Sequence, residues 1–218
     1  MTTFPHRSRP HSRASVSVGA TDQFDCTKIA FCEDAHLRLL STADAPELHA
    51  LIMSNREHLA QWLAWAAAQT FQDTLEFIRR SERQVAANEG FHAAIVCQDR
   101  IAGVISYMEV DWRHRRTVLG YWLDADHQGR GLMTSAVRLM VDHAITVWDL
   151  NRVEIRAAVE NGKSRAIPER LGFDQEGVLH QAELVSGRYL DSIVYAMLAA
   201  NWSERSTEAG GDARYYQD

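Results

Sequence analysis

The chain has 218 residues, 46% of them hydrophobic and 24% charged, with a formal net charge of −6. That composition suffices for one domain with a full core, and the absence of a basic stripe argues against nucleic acid as a partner. No apolar run approaches the roughly 20 residues of a membrane helix, so no membrane span is expected.

The first 21 residues carry Arg7, Arg9, Arg13, His6 and His11, with no acid before Asp22 and no apolar h-region. This is not a secretory signal. An Arg- and Ser-rich start has some likeness to an organelle transit peptide, but the expectation is a solvated arm over 1–33. The polar stretch 203–218 reads as a second loose tail, leaving a folded domain at 34–202. The cysteines Cys26, Cys32 and Cys97 are odd in number and fit neither a zinc site nor a disulfide framework. Reduced thiols in a cytoplasmic protein are expected, and the ten histidines show no metal-ligand spacing.

Leu37 to Leu40 reads as a strand, followed by a helix start at Thr42-Ala-Asp-Ala-Pro46, where proline suits the first turn. One helix is expected through Leu51 and Ile52, and a second over His58 to Ala66. The second places Leu59, Trp62, Leu63 and Ala66 at helical spacing. Thr74 to Asn88 makes a third. The period then changes: Phe91 to Cys97, Ile101 to Val110 and Val118 to Leu123 read as consecutive strands. A helix follows from about Gly131 to Val147, with Met133, Ala136, Val137, Met140, Ala144 and Val147 in its apolar stripe. A strand at Val153 to Val159, a short helix ending at Leu171-Gly172, and a hairpin of Val178 to Val185 with Tyr189 to Leu198 close the domain. Strand, helices, three strands, helix, strand, helix, hairpin describes an α/β (α+β) sheet with helices on its faces.

The most informative segment is Gln128-Gly-Arg-Gly131-Leu-Met-Thr134, between a strand and the first turn of a helix. Helix-start amides and the helix dipole bind anions, and glycines let the backbone approach a phosphate. Asp124 and Asp126 lie upstream, so attraction must come mainly from the amides and Arg130. The plain alternative is a tight turn with no ligand. The segment lacks the third glycine of a dinucleotide fingerprint and the ending of a nucleotide P-loop.

Gly120-Tyr-Trp-Leu123 followed by Gln128-Gly-Arg-Gly131-Leu-Met133 resembles the central strand and pyrophosphate loop of the GNAT acetyltransferases, in particular the RimJ/RimL type that acetylates ribosomal-protein N-termini. Met133 departs from the small residue that usually ends the loop, although this branch often carries methionine there. Asn161-Gly-Lys-Ser164, Glu169-Arg-Leu-Gly-Phe173, Glu176-Gly177, Gln181-Ala-Glu183 and Gly187-Arg-Tyr-Leu-Asp191 continue the likeness in order, as does Arg56 to Trp65 upstream. It covers roughly 35 to 200. The resemblance implies the acyl-CoA N-acyltransferase fold, a mixed, mostly antiparallel sheet flanked by helices that splays after the fourth of the strands read above. It further implies acetyl-CoA as cosubstrate in that opening, held by Leu123, Gln128, Gly129, Arg130, Gly131, Leu132, Met133 and Thr134, with no metal. The acceptor is then a primary amine entering from the side of the first helices and the closing hairpin. This branch is often dimeric, and the exposed hairpin could pair two copies.

The resemblance also assigns roles. Glu183 becomes the general base, direct or through water; from strand position alone the favoured reading is a solvated glutamate on an edge strand. Ser164 becomes the acid for the departing thiolate, with a helix N-cap as its plain alternative. Asn161 anchors the pantetheine arm, or makes a local turn. Trp62 and Trp65 either line the acceptor cleft or pack as core. Asp191 reads as structural: if Ser186-Gly187 forms a two-residue turn, Glu183 pairs with Leu190 and Asp191 lies on the other sheet face, a register that a bulge would change. An α-amine, with a pKa near 8, is about one-tenth neutral at pH 7, whereas a lysine is neutral only about once in a few thousand. A modest base therefore suffices for N-termini. The acceptor expected is a protein N-terminal α-amine. The alternatives are a small amine (a polyamine, an antibiotic or an aminoacyl nucleotide), or a non-catalytic CoA-binding module.

Overall fold

A computed structural model describes residues 29–32 and 34–208. Eight strands form one sheet in the order β1-β2-β3-β4-β5-β6-β8-β7. Their ranges are β1 Ile29–Cys32, β2 Ala35–Leu39, β3 Phe91–Cys97, β4 Arg100–Asp111, β5 Arg116–Leu123, β6 Arg152–Ala158, β7 Asp174–Val185 and β8 Arg188–Leu198. All neighbours run antiparallel except β5 and β6. The helices are α1 Ala45–Ser54, α2 Arg56–Leu59, α3 Phe71–Ala87, α4 Leu132–Thr146, α5 Gly162–Leu171 and α6 Ala199–Glu208.

Strand alternation sorts the core into two layers. Ile105, Tyr107, Leu119, Ile155, Ile193 and Tyr195 face α4, whose Ala136, Val137, Met140 and Ala144 are fully buried. Ala94, Val96 and Val104 face α1 and α3 through Leu48, Ile52 and Ile78 on the other side. The α3 start at Phe71, three residues before the expected Thr74, is explained by a reciprocal cap: Thr70 Oγ1 accepts from the Asp73 N–H (3.2 Å), and the Asp73 carboxylate accepts from the Thr70 N–H (2.9 Å).

Three expectations need correction. The helix expected over His58 to Ala66 is a single turn, Arg56–Leu59, followed by turns and a 3-10 segment at Ala66–Ala68. Of its supposed stripe only Leu59 and Ala66 are buried, too few to sustain a helix whose stability comes from packing an apolar face. The sheet starts at Ile29, inside the stretch assigned to the arm, because β1 pairs with β2. Helix α6 runs past residue 202, where Trp202 is buried and its Nε1–H donates to Asp142 Oδ1 (2.6 Å). Residues 1–28, with Cys26 and the basic start, lie outside the described residues.

The feature that positions the site is the parting of β5 from β6. They pair only over Arg116–Leu119 against Arg152–Ile155. Beyond that point β5 stays paired with β4 through Leu123, and β6 with β8 through Ala158. Each strand is thus held by its outer neighbour while the inner edges separate into a slot. A bulge at Met108 shifts the β4–β5 register beside the parting, where bulges increase local twist.

Candidate active site

At the end of β5 the chain turns through a 3-10 segment, Ala125–His127, into the loop before α4. Gly129 has φ 74° and Gly131 φ 79°, the latter capping α4. A side chain in this left-handed region costs about 1–2 kcal/mol. A Cβ at either glycine would meet nothing within 4 Å, so the space before the helix is open. Leu132 and Met133 bury their side chains in the core, while the N–H groups of Leu132, Met133 and Thr134 start the helix without intrahelical acceptors. Open space, first-turn amides and Arg130 together suit a diphosphate.

The loop is braced from the junction of α1 and α2 and from α2 itself, which sequence reasoning did not foresee. Asn55 is buried; its Nδ2 donates to Asp124 Oδ1 (2.6 Å) and its Oδ1 accepts from the Ala125 N–H (2.9 Å). His127 Nδ1 donates to Asp124 Oδ2 (2.6 Å). Burial pushes the Asp124 carboxyl upward, but the bonds from His127 and Asn55 outweigh it and hold the group below the usual carboxylate range. Both carboxylate oxygens are therefore engaged inside the loop rather than aimed at a ligand. Gln128 Nε2 donates to His58 Nε2 (2.7 Å), and Gln128 Oε1 accepts from Lys163 Nζ (2.9 Å).

Across the slot, Asn161 caps α5: its Oδ1 accepts from the Ser164 N–H (3.2 Å). The N-cap alternative considered for Ser164 thus belongs to Asn161, and Ser164 occupies the first helical turn. Tyr121, on the part of β5 that has left β6, donates its hydroxyl to the Ser164 carbonyl (3.0 Å) and lies 3.5 Å from Ser164 Oγ. Burial raises the Tyr121 pKa far above its ordinary value, so the phenol stays neutral. The sequence offered Tyr121 only as part of a motif.

Glu183 pairs with Leu190, as the Ser186-Gly187 turn requires. Three residues, His180 to Ala182, bulge opposite Asp191, whose carboxylate accepts from the Gln181 N–H (2.8 Å) and from His180 Nδ1 (2.9 Å). Asp191 therefore fixes the bulge that sets the Glu183 register. The Glu183 side chain is exposed, and its Oε1 accepts from Ser192 Oγ (3.3 Å). Ser192 lies on the face opposite Ile193 and Tyr195, the same face as Trp122; Tyr121 and Ser164 lie on the other. The two candidate groups thus flank the slot from opposite faces. Ser186 Oγ donates to the Ala60 carbonyl (3.1 Å), joining the hairpin tip to the end of α2. Trp65 is 40% exposed and 6.4 Å from Trp122, and Trp62 is half-buried, so neither is core. Among the described residues no three His, Cys, Asp or Glu side chains gather as a metal site requires.

A parted parallel strand pair, a glycine-capped anion loop at one end and polar groups on both faces define an acyl-CoA N-acyltransferase. The chain belongs to the GNAT acetyltransferases: the family model described as "Acetyltransferase (GNAT) domain" matches residues 35–174. It is 36% identical over 174 residues to the "Putative ribosomal N-acetyltransferase YdaF" of Bacillus subtilis (strain 168), covering 78% of this chain and 94% of that one. To the "Ribosomal-protein-serine acetyltransferase" of Escherichia coli (strain K12) it is 29% identical, over 78% of this chain and 96% of that one. Among solved structures, RimL, the ribosomal L7/L12 alpha-N-protein acetyltransferase in complex with coenzyme A, superposes with a TM-score of 0.76 at 28% identity, covering 80% of this chain and 99% of that one. The protein is an N-acetyltransferase with acetyl-CoA as cosubstrate, and the RimJ/RimL type read from the sequence holds. No helix among the described residues is long and apolar enough to cross a membrane.

Proposed function

We propose that the protein transfers the acetyl group of acetyl-CoA to the α-amine of a protein N-terminus, with ribosomal proteins as the acceptor class and the cytoplasm as the place of action. The observation that carries this reading is the exposed Glu183 carboxylate, set on an edge strand whose hairpin tip is bonded to the end of α2. Such a solvated base can take a proton directly or through one water, which suffices for an amine already about one-tenth neutral at pH 7. A lysine or polyamine acceptor would demand far more. The names of the relatives above favour the same acceptor class.

In this reading Glu183 accepts the amine proton as the nitrogen attacks the thioester carbonyl. Ser164 gives its hydroxyl proton to the departing sulfur as the C–S bond breaks, and recovers one from water. Asn161 orders the first turn of α5 beneath it, and its amide NH2 can reach the pantetheine arm. Trp62 and Trp65 line the acceptor side. Leu123 and the segment Gln128 to Thr134 hold the cosubstrate, with Gly129, Arg130, Gly131, Leu132 and Met133 contributing backbone and charge to the pyrophosphate. The long, exposed edge strand β7 is the surface on which two copies would pair.

The deciding experiment is an acceptor survey: acetyl-CoA turnover with ribosomal-protein N-terminal peptides beside spermidine and free lysine. Peptide turnover that vanishes when the α-amine is blocked supports the reading. Turnover confined to the small amines refutes it.

A further inference from the structure

Coenzyme A carries a ribose 3′-phosphate as well as its pyrophosphate, and the α4 amides can serve only the latter. Many cations of the chain are already paired with acids: Arg152 with Glu154 and Glu176, Arg38 with Asp44, Arg100 with Glu47. Two cations on α5 are not. Lys163 Nζ rests on the neutral Gln128 Oε1 (2.9 Å), and Arg170 Nη1 donates to the neutral Thr134 Oγ1 (2.9 Å). Both residues are exposed, with no carboxylate partner among the described residues. The neighbouring acid, Glu169, is engaged elsewhere, accepting from Arg165 (3.1 Å) and from the Tyr195 hydroxyl (2.7 Å). Helix α5 therefore presents two unneutralised charges to the loop at the start of α4, one at each end.

Their order along the helix assigns them. Asn161 and Ser164 stand at the mouth of the slot, beside Tyr121, so Lys163 belongs to the slot end. From Lys163 to Arg170 the helix rises about 10 Å, which carries Arg170 past the pyrophosphate loop to its outer side, at Thr134. A cosubstrate threaded from the slot over the α4 amides presents its adenosine end there. We propose that Arg170 takes the ribose 3′-phosphate, with Lys163 guarding the inner end, so that the protein discriminates CoA from dephospho-CoA. The guanidinium fork suits a terminal phosphate, which it can grip bidentately. The inference rests on the α4 loop holding the pyrophosphate.

Calorimetric titration of the wild type, Arg170→Ala and Arg170→Gln with CoA and with dephospho-CoA tests it. The wild type should bind CoA about tenfold more tightly than dephospho-CoA, the scale of one lost charge-assisted contact. Both variants should lose that preference while binding dephospho-CoA as the wild type does. Arg170→Gln keeps a donor for Thr134, so an effect shared by both variants belongs to the charge; unchanged melting temperatures show that the fold is intact. Equal loss of both ligands would place Arg170 on the pyrophosphate and overturn the assignment, as would no loss of either. A wild type that binds neither ligand overturns the loop reading and the 3′-phosphate site with it.

Discussion

Asn55→Ala is the substitution whose cost the geometry defines best. The Asn55 amide lies buried between α1 and the cosubstrate loop, donating to Asp124 Oδ1 (2.6 Å) and to the Leu51 carbonyl (3.0 Å), and accepting from the Ala125 N–H (2.9 Å). Truncation removes one hydrogen bond to a charged group, worth about 1.5–3 kcal/mol, and strands a backbone N–H for about 1 kcal/mol more. A loss of about 3 kcal/mol by urea unfolding is expected, together with weaker CoA binding, because the loop loses its brace from α1. The effect has a pH signature. A carboxyl held below its unfolded value contributes stability above that value and loses it as pH falls through the folded pKa. Asp124 is held low partly by Asn55, so the gap between wild type and variant should be full at pH 7 and narrow below about pH 4. A loss under about 1 kcal/mol, or a gap that does not change with pH, would refute this account of the loop.

Glu183→Gln should leave CoA affinity intact by calorimetry and lower kcat by about 10²–10⁴-fold, the range of a lost general base; unchanged turnover would reject Glu183 in that role. Gly131→Asp should abolish CoA binding, because it forces a side chain into φ 79° and sets a negative charge before the helix dipole. Surviving affinity would mean that the pyrophosphate lies elsewhere. Tyr121→Phe removes the donor to the Ser164 carbonyl and should cost about 1 kcal/mol of stability while lowering kcat more than it raises KM. A change confined to stability would restrict Tyr121 to a packing role.

What the sequence could reveal depended on how local the determining interactions are. The strands of β3 to β6 were legible because alternation and turn chemistry act within a few residues, and the Glu183–Leu190 pair followed from a two-residue turn alone. The short reach of α2 was not legible: Leu59, Trp62, Leu63 and Ala66 have helical spacing, yet only the buried Leu59 and Ala66 show where the core stops. Strand β1 escaped because four residues next to a polar start give no period, and α6 because its anchor is Trp202 on Asp142, 60 positions away. The same distance effect hid half the site. Gln128 and the glycines announce themselves as a motif, but the residues that hold the loop in shape, Asn55 and His58, stand 69 and 70 positions from their partners. Those long-range bonds make the slot one object. Asn55, between α1 and α2, and His58, in α2, grip the cosubstrate loop, while Ala60, just past α2, grips the acceptor hairpin through Ser186. The short α2 segment is thus the part of the chain through which the two substrates' walls are held at a fixed spacing.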